Sequence, residues 1–272
     1  MNATALRPVG DLLREWRQRR RLSQLDFSVE AEISSKHLSF LETGRSRPSR
    51  EMLLKLAELL EVPLRERNTL LISAGFAPLF SERKLDDPSL QAARDAMEIV
   101  LKGHEPYPAI AVDRHWTLLA ANRAVAPMLT GIKTELLAPP MNVLRASLHP
   151  DGLAPRIVNL GQWRAHIFAR LRRQIEISAD PILTTLLEEL IAYPAPEHGH
   201  GNGRGNGRGN GSEITNAFVV PMRLATPMGV LSFISTTTVF GTPIDVTLSE
   251  LALESFFPAD AATAAALRQM PL

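Results

Sequence analysis

The chain has 272 residues, 45% hydrophobic and 22% charged, which allows two domains with their own cores and argues against a disordered polypeptide. With 30 basic and 29 acidic side chains the net charge is +1, so overall charge selects no polyanionic partner. The absence of cysteine excludes disulfides, a thiol nucleophile and thiolate zinc sites. With neither a signal-like N-terminus nor an apolar run near the roughly 18–20 residues of a bilayer span, it points to a cytoplasmic protein with no membrane partner.

In chain order, the pattern predicts a first helix from Asp11 to about Arg20 that buries Leu13 and Trp16. Ser23 and Ser34 are good N-caps for two short helices, joined by an apolar stripe of Leu25 or Phe27, Ala31, Ile33, Leu38 and Leu41. Gly44 is placed for a left-handed C-cap. Ser49 caps a fourth helix through Leu60, with Met52, Leu53, Leu56, Leu59 and Leu60 on its apolar face, and Pro63 suits the first turn of a fifth, ended by Gly75. Charge is unevenly spread: residues 1–84 carry 15 basic and 11 acidic side chains, the remainder 15 and 18. Because nonspecific DNA affinity comes from cations that displace counterions, the N-terminal part is the candidate DNA-facing end.

The run Leu22-Ser23-Gln24, then Ser34, Leu38 and Leu41-Glu42-Thr43-Gly44, then Arg47-Pro48-Ser49 resembles the Cro/repressor (XRE-type) helix-turn-helix family over about residues 10–75. The resemblance implies an all-α five-helix DNA-binding domain over residues 1–76, with the N-terminal part of the third helix in the major groove. Ser34, Ser35, Lys36 and His37 form that part and Phe40 follows one turn later. By family position Ser35, Lys36 and Phe40 fall on base-reading sites. Lys36 could donate to guanine, and Phe40 could touch a thymine methyl. Gln24 falls where the family clamps a phosphate, Arg45 and Arg50 are further phosphate contacts, and Arg17 pairs with Glu42 as a structural ion pair. The turn between the second and third helices often holds glycine in this family; here it holds Glu32.

Residues 77–87 read as a linker, after which Asp87-Pro88 caps a helix through about Lys102, closed by Gly103. A strand at Pro108–Val112, a turn at Asp113-Arg114 and a strand at His115–Ala120 follow, and Asn122 caps a helix toward Leu129. Asn142 caps a short helix. Asn159 caps a longer one to about Ile177, on which Trp163, Ile167, Leu171 and Ile175 recur every four residues. Asp180-Pro181 starts a helix through Ile191. Residues 198–211 place glycine at every second position and predict a flexible loop, without the spacing of a dinucleotide or phosphate loop. Strands are expected at Glu213–Leu224, Met228–Val239 and about Leu248–Phe257, with a hairpin turn at Thr226-Pro227 and a terminal helix capped by Asp260. Residues 88–272 thus read as an α+β domain with an antiparallel sheet.

The strand, Asp turn and strand before Ala120-Ala121-Asn122 resemble the opening of PAS sensory domains. With Trp116, Asn142 to Arg145, Gly161-Gln162-Trp163 and Leu171-Arg172 behind an XRE-type motif, the chain resembles the MmyB-like regulators of bacteria, departing from them after Tyr193, where the glycine-rich stretch begins. This implies a sequence-specific transcription regulator, acting as a homodimer on a double-stranded DNA operator, whose PAS-like domain senses a small apolar ligand such as a fatty acid. The expected ligand contacts are Trp116, Asn122, Arg145, Trp163, Ile167, Leu171, Arg172, Phe218 and Phe233, with Arg145 or Arg172 available to a carboxylate. The alternative is a C-terminal domain that serves only dimerisation or a protein partner. The histidines are scattered and neither a zincin helix nor a nucleophile elbow is present, so no catalytic residue, cofactor or metal is expected.

Overall fold

The computed structural model describes residues 7–194, 220–241 and 245–271. The chain divides into two compact units: one comprises the described residues up to Ala96 with Arg173–Pro181 and Val239–Leu251, the other the described residues of Met97–Arg172, Ile182–Thr238 and Ala252–Leu272.

The first unit is built on α1 (Val9–Arg19), α2 (Gln24–Glu30), α3 (Ser35–Glu42), α4 (Arg50–Leu59) and α5 (Leu64–Ser73). Serine hydroxyls start three of them: Ser23 accepts from the Asp26 amide, Ser34 from that of His37 and Ser49 from that of Met52. Each satisfies a donor that the helix itself leaves unpaired. Asp26 closes a capping box by accepting from Ser23 in return. The apolar stripes meet in one core of Leu13, Trp16, Phe27, Leu38, Leu41, Leu53, Leu56 and Leu71. Of the two residues that periodicity allowed at the start of α2, Phe27 is fully buried and Leu25 is 64% exposed. The helix–helix turn is left-handed at Glu32 (φ 57°), a conformation a Cβ disfavours, and the Glu32 carboxylate receives Lys55 at 2.8 Å. Gly44 (φ 72°) takes the left-handed C-cap as expected.

Helix α1 begins two residues earlier than its pattern predicts and so includes Gly10. A Cβ there would lie 2.4 Å from the Leu41 carbonyl oxygen and 2.7 Å from that of Glu42, so glycine sets how closely α1 crosses the end of α3. The connector after α5 is tied down: the Asn68 side chain accepts from the Leu79 and Phe80 amides and donates to the Phe80 carbonyl. Late residues complete the unit. Arg65 on α5 makes a two-pronged pair with Glu250 (2.8 and 2.9 Å) and also meets Glu82, while Arg83 pairs with the buried Asp245.

Next come α6 (Gln91–Gly103), β1 (Ala109–Val112), β2 (Leu118–Ala121), α7 (Thr134–Leu137), α8 (Val143–Leu148), α9 (Leu160–Ser178), α10 (Pro181–Ala192), β3 (Met222–Thr226), β4 (Gly229–Val239), α11 (Val246–Ser249), β5 (Ala252–Pro258) and α12 (Ala261–Gln269). The five strands form one sheet in the order β2-β1-β5-β4-β3. Pairings β1–β2, β1–β5 and β3–β4 are antiparallel, and Thr226 facing Gly229 closes the expected hairpin. Fully buried β1 is covered on both edges by β2 and β5.

Three local expectations are corrected. The second strand starts at Leu118, because Trp116 adopts a left-handed φ of 67° in a turn organised by Asp113, whose carboxylate accepts from the His115 and Thr117 amides. Arg123–Leu129 is a 3-10 helix, as suits a segment with Pro127 inside it. The last strand is shorter than predicted, since Asp245 caps the turn of α11 before it. The glycine-rich stretch 198–211, the start of the strand expected at Glu213 and Phe218 lie outside the described residues.

Candidate DNA-reading face and apolar pocket

Helix α3 presents Ser34, Ser35 and Lys36 exposed at its N-terminal end, with His37 and Phe40 half-buried beside them. The Phe40 ring is near two cations, Lys36 Nζ 5.7 Å and Arg45 Cζ 5.9 Å from its centroid. It is thus an apolar plate that holds one cation from the start of the helix and one from beyond its end. The Ser35 hydroxyl is 3.0 Å from that of Ser28 on α2, which fixes its orientation. Arg45 and Arg50 are exposed.

Beneath this face Arg17 and Glu42 form the expected ion pair. Both are buried; Nε and Nη2 of Arg17 donate to the two carboxylate oxygens at 2.6 and 2.9 Å, and Nη1 donates to the Leu22 carbonyl. Gln24 donates its amide to the same carboxylate at 2.8 Å. The residue placed at a phosphate site by position is therefore also a prop for Glu42, with one amide hydrogen left for a phosphate. A buried pair of this kind locks α1 to α3, and losing one partner typically costs about 3–5 kcal/mol.

In the second unit, a cavity of about 110 Å³ is walled by side chains from the sheet, α8, α9 and the 3-10 segment. That is well above the roughly 10–15 Å³ needed to admit a single water, so the cavity has room for a small molecule. Trp116, Trp163, Ile167 and Phe233 line it, as anticipated. So do Met128, Met141, Leu144 and Phe256, which carried no recognisable signal in the sequence. The polar groups on its wall are Ser147, Ser235, Arg170 and Glu254. Ser147 accepts from the Trp163 indole N–H at 3.0 Å. Arg170 grips the buried Glu254 with two nitrogens and lies over the Trp116 ring, Cζ 4.5 Å from its centroid. His166 stacks on Trp163, and burial, with Arg170 nearby, holds its pKa below the usual histidine value.

Other expected ligand contacts do different work. Asn122 accepts from the Ala109 amide and donates to the Leu101 and Tyr107 carbonyls, a buried clamp between α6 and β1. Leu171 is fully buried core. Arg145 pairs with Glu189 at 2.7 Å, and Arg172 is exposed, so neither expected carboxylate partner lines the cavity. The arginine that does is Arg170. It follows Trp163 by about two helical turns and so shares its face, whereas Arg172 lies roughly 180° around the helix. That spacing was readable in the sequence. Glu254, a single carboxylate in an apolar strand, was not.

A family model described as the MmyB-like transcription regulator ligand binding domain matches residues 93–270, and one described as a helix-turn-helix domain matches residues 8–70. The chain belongs to the MmyB-like family: it is a DNA-binding transcription regulator with a ligand-sensing domain. No curated protein sequence matches it significantly. Among the described residues no helix is long and apolar enough to cross a membrane.

Proposed function

We propose that α3 reads an operator through Lys36 and Phe40, with Arg45, Arg50 and Gln24 on phosphates, and that a small apolar molecule in the cavity sets the affinity for that operator. The observation that carries the second part is the cavity itself, lined by tryptophan, methionine, leucine and phenylalanine side chains with few polar groups, the usual composition of a small-molecule site. A fatty-acyl chain of medium length is the ligand class that such walls favour. Two copies on two half-sites is the arrangement that helix-turn-helix geometry favours on DNA.

A ligand can change DNA affinity only if it binds one state of the protein better than another. An operator selected from random DNA, followed by fluorescence anisotropy while the protein is titrated with medium- and long-chain fatty acids and their esters, tests this. Operator affinity is expected to change several-fold, in the range of about 5–150 that coupled sites span. Affinity that stays constant at saturating ligand refutes the sensor reading.

A further inference from the structure

The cavity carries two opposite charges, and they are spent on each other. Arg170 Nη1 donates to one Glu254 oxygen at 2.9 Å and Nη2 donates to the other. The same Nη2 donates to Thr237 Oγ1 at 2.7 Å, and that hydroxyl donates to Glu254 at 2.9 Å. Glu254 is 2% exposed, and the guanidinium lies on the Trp116 face. A carboxylate entering this cavity would meet the Glu254 charge. It could meet Arg170 only through Nε–H and the second Nη1–H, on a guanidinium whose charge the buried Glu254 already balances, so the wall would carry an uncompensated negative charge. An ammonium group would face the mirror-image penalty from Arg170. The two serine hydroxyls carry no such conflict. Ser147 accepts the Trp163 N–H, which leaves its own proton for a ligand oxygen, and Ser235 on β4 stands on the same wall.

We infer that the cavity takes an uncharged apolar ligand, one whose polar end is a hydroxyl or carbonyl oxygen met by Ser147 and Ser235, and that it rejects carboxylates and amines of the same chain length. The inference rests on the reading of this cavity as the ligand site. Arg170 and Glu254 act as a neutral, ordered floor that sorts ligands by charge.

The test uses the full chain and four probes of one chain length: 1-decanol, methyl decanoate, decanoate and decylamine, near neutral pH, where the last two are ionised. Binding is read from the fluorescence of Trp116 and Trp163, two of the three tryptophans and both on the cavity wall. The alcohol and ester should bind at least about tenfold more tightly than either ion. In Glu254→Gln the Arg170 charge loses its partner, so decanoate should become the tightest of the four. Decanoate or decylamine matching or exceeding the neutral probes in the unaltered chain overturns the charge-sorting inference while leaving the ligand site standing. An unchanged order in a folded Glu254→Gln also overturns it. Failure of all four probes to bind removes the ligand-site reading, and the inference with it.

Discussion

Lys36 and Arg45 share one aromatic ring, yet the proposed reading gives them different partners. Lys36 belongs to the first turn of α3, the part of a recognition helix that meets base edges, while Arg45 follows the helix end, which the proposal sets against the DNA backbone. Replacing Lys36 with alanine should therefore cost about 1–3 kcal/mol at particular base pairs and little elsewhere. Arg45→Ala should weaken operator and random DNA alike and reduce the salt slope by about one phosphate. Anisotropy titrations on both DNAs at several salt concentrations separate the two, and an equal loss on both for Lys36→Ala would dismiss its base-reading role. The same scale shows what a sequence conceals. Leu25 and Phe27 satisfied the apolar stripe equally, and only packing against the other helices chose the aromatic. Arg170 and Arg172 were equally plausible as composition, and only their angle around α9 tells them apart.

Where α1 crosses α3, the contact is between backbones. Gly10→Ala would push a methyl into the Leu41 and Glu42 carbonyls, at 2.4 and 2.7 Å, and neither is the end of a flexible side chain. The expected loss is about 1–3 kcal/mol, larger than the roughly 1 kcal/mol that alanine gains over glycine in a helix. Gly161→Ala on α9, with no atom within 4 Å of its new Cβ, should instead gain stability by about 0.5–1 kcal/mol. Urea unfolding of the two variants decides between these signs, and a stabilised Gly10→Ala would show that the crossing has slack. Helices of the first unit were legible because three begin at a serine that caps them, α5 begins after Pro63, and their apolar faces are periodic. The strand edges were less so. The left-handed Trp116 and the short α11 turn also rest on hydrogen bonds to distant residues, Trp116 O accepting from the Val143 amide and the Val246 amide donating to the Ser81 carbonyl. Nothing local in the sequence encodes those partners.

A ligand that alters operator affinity is bound by a thermodynamic symmetry: the operator must alter ligand affinity by the same factor. Decanol affinity measured with and without saturating operator should therefore shift by the ratio seen in the reverse experiment. Unequal factors would mean that the two ligands do not act through one shared equilibrium. The composition of the first unit carries a different consequence. Its apolar core is drawn mainly from residues near the start of the chain, but Arg65 and Arg83 find Glu250 and Asp245 near its end. On the ribosome the five helices can close on their core as soon as α5 has emerged, whereas these two arginines wait for nearly the whole polypeptide to be made. Until then Arg83 lacks the Asp245 carboxylate and Arg65 has Glu82 alone, so the domain that meets DNA is more positive than in the finished protein. A nascent chain should thus hold nonspecific nucleic acid slightly more tightly than the finished protein, because the last carboxylates to be made are the ones that trim this charge.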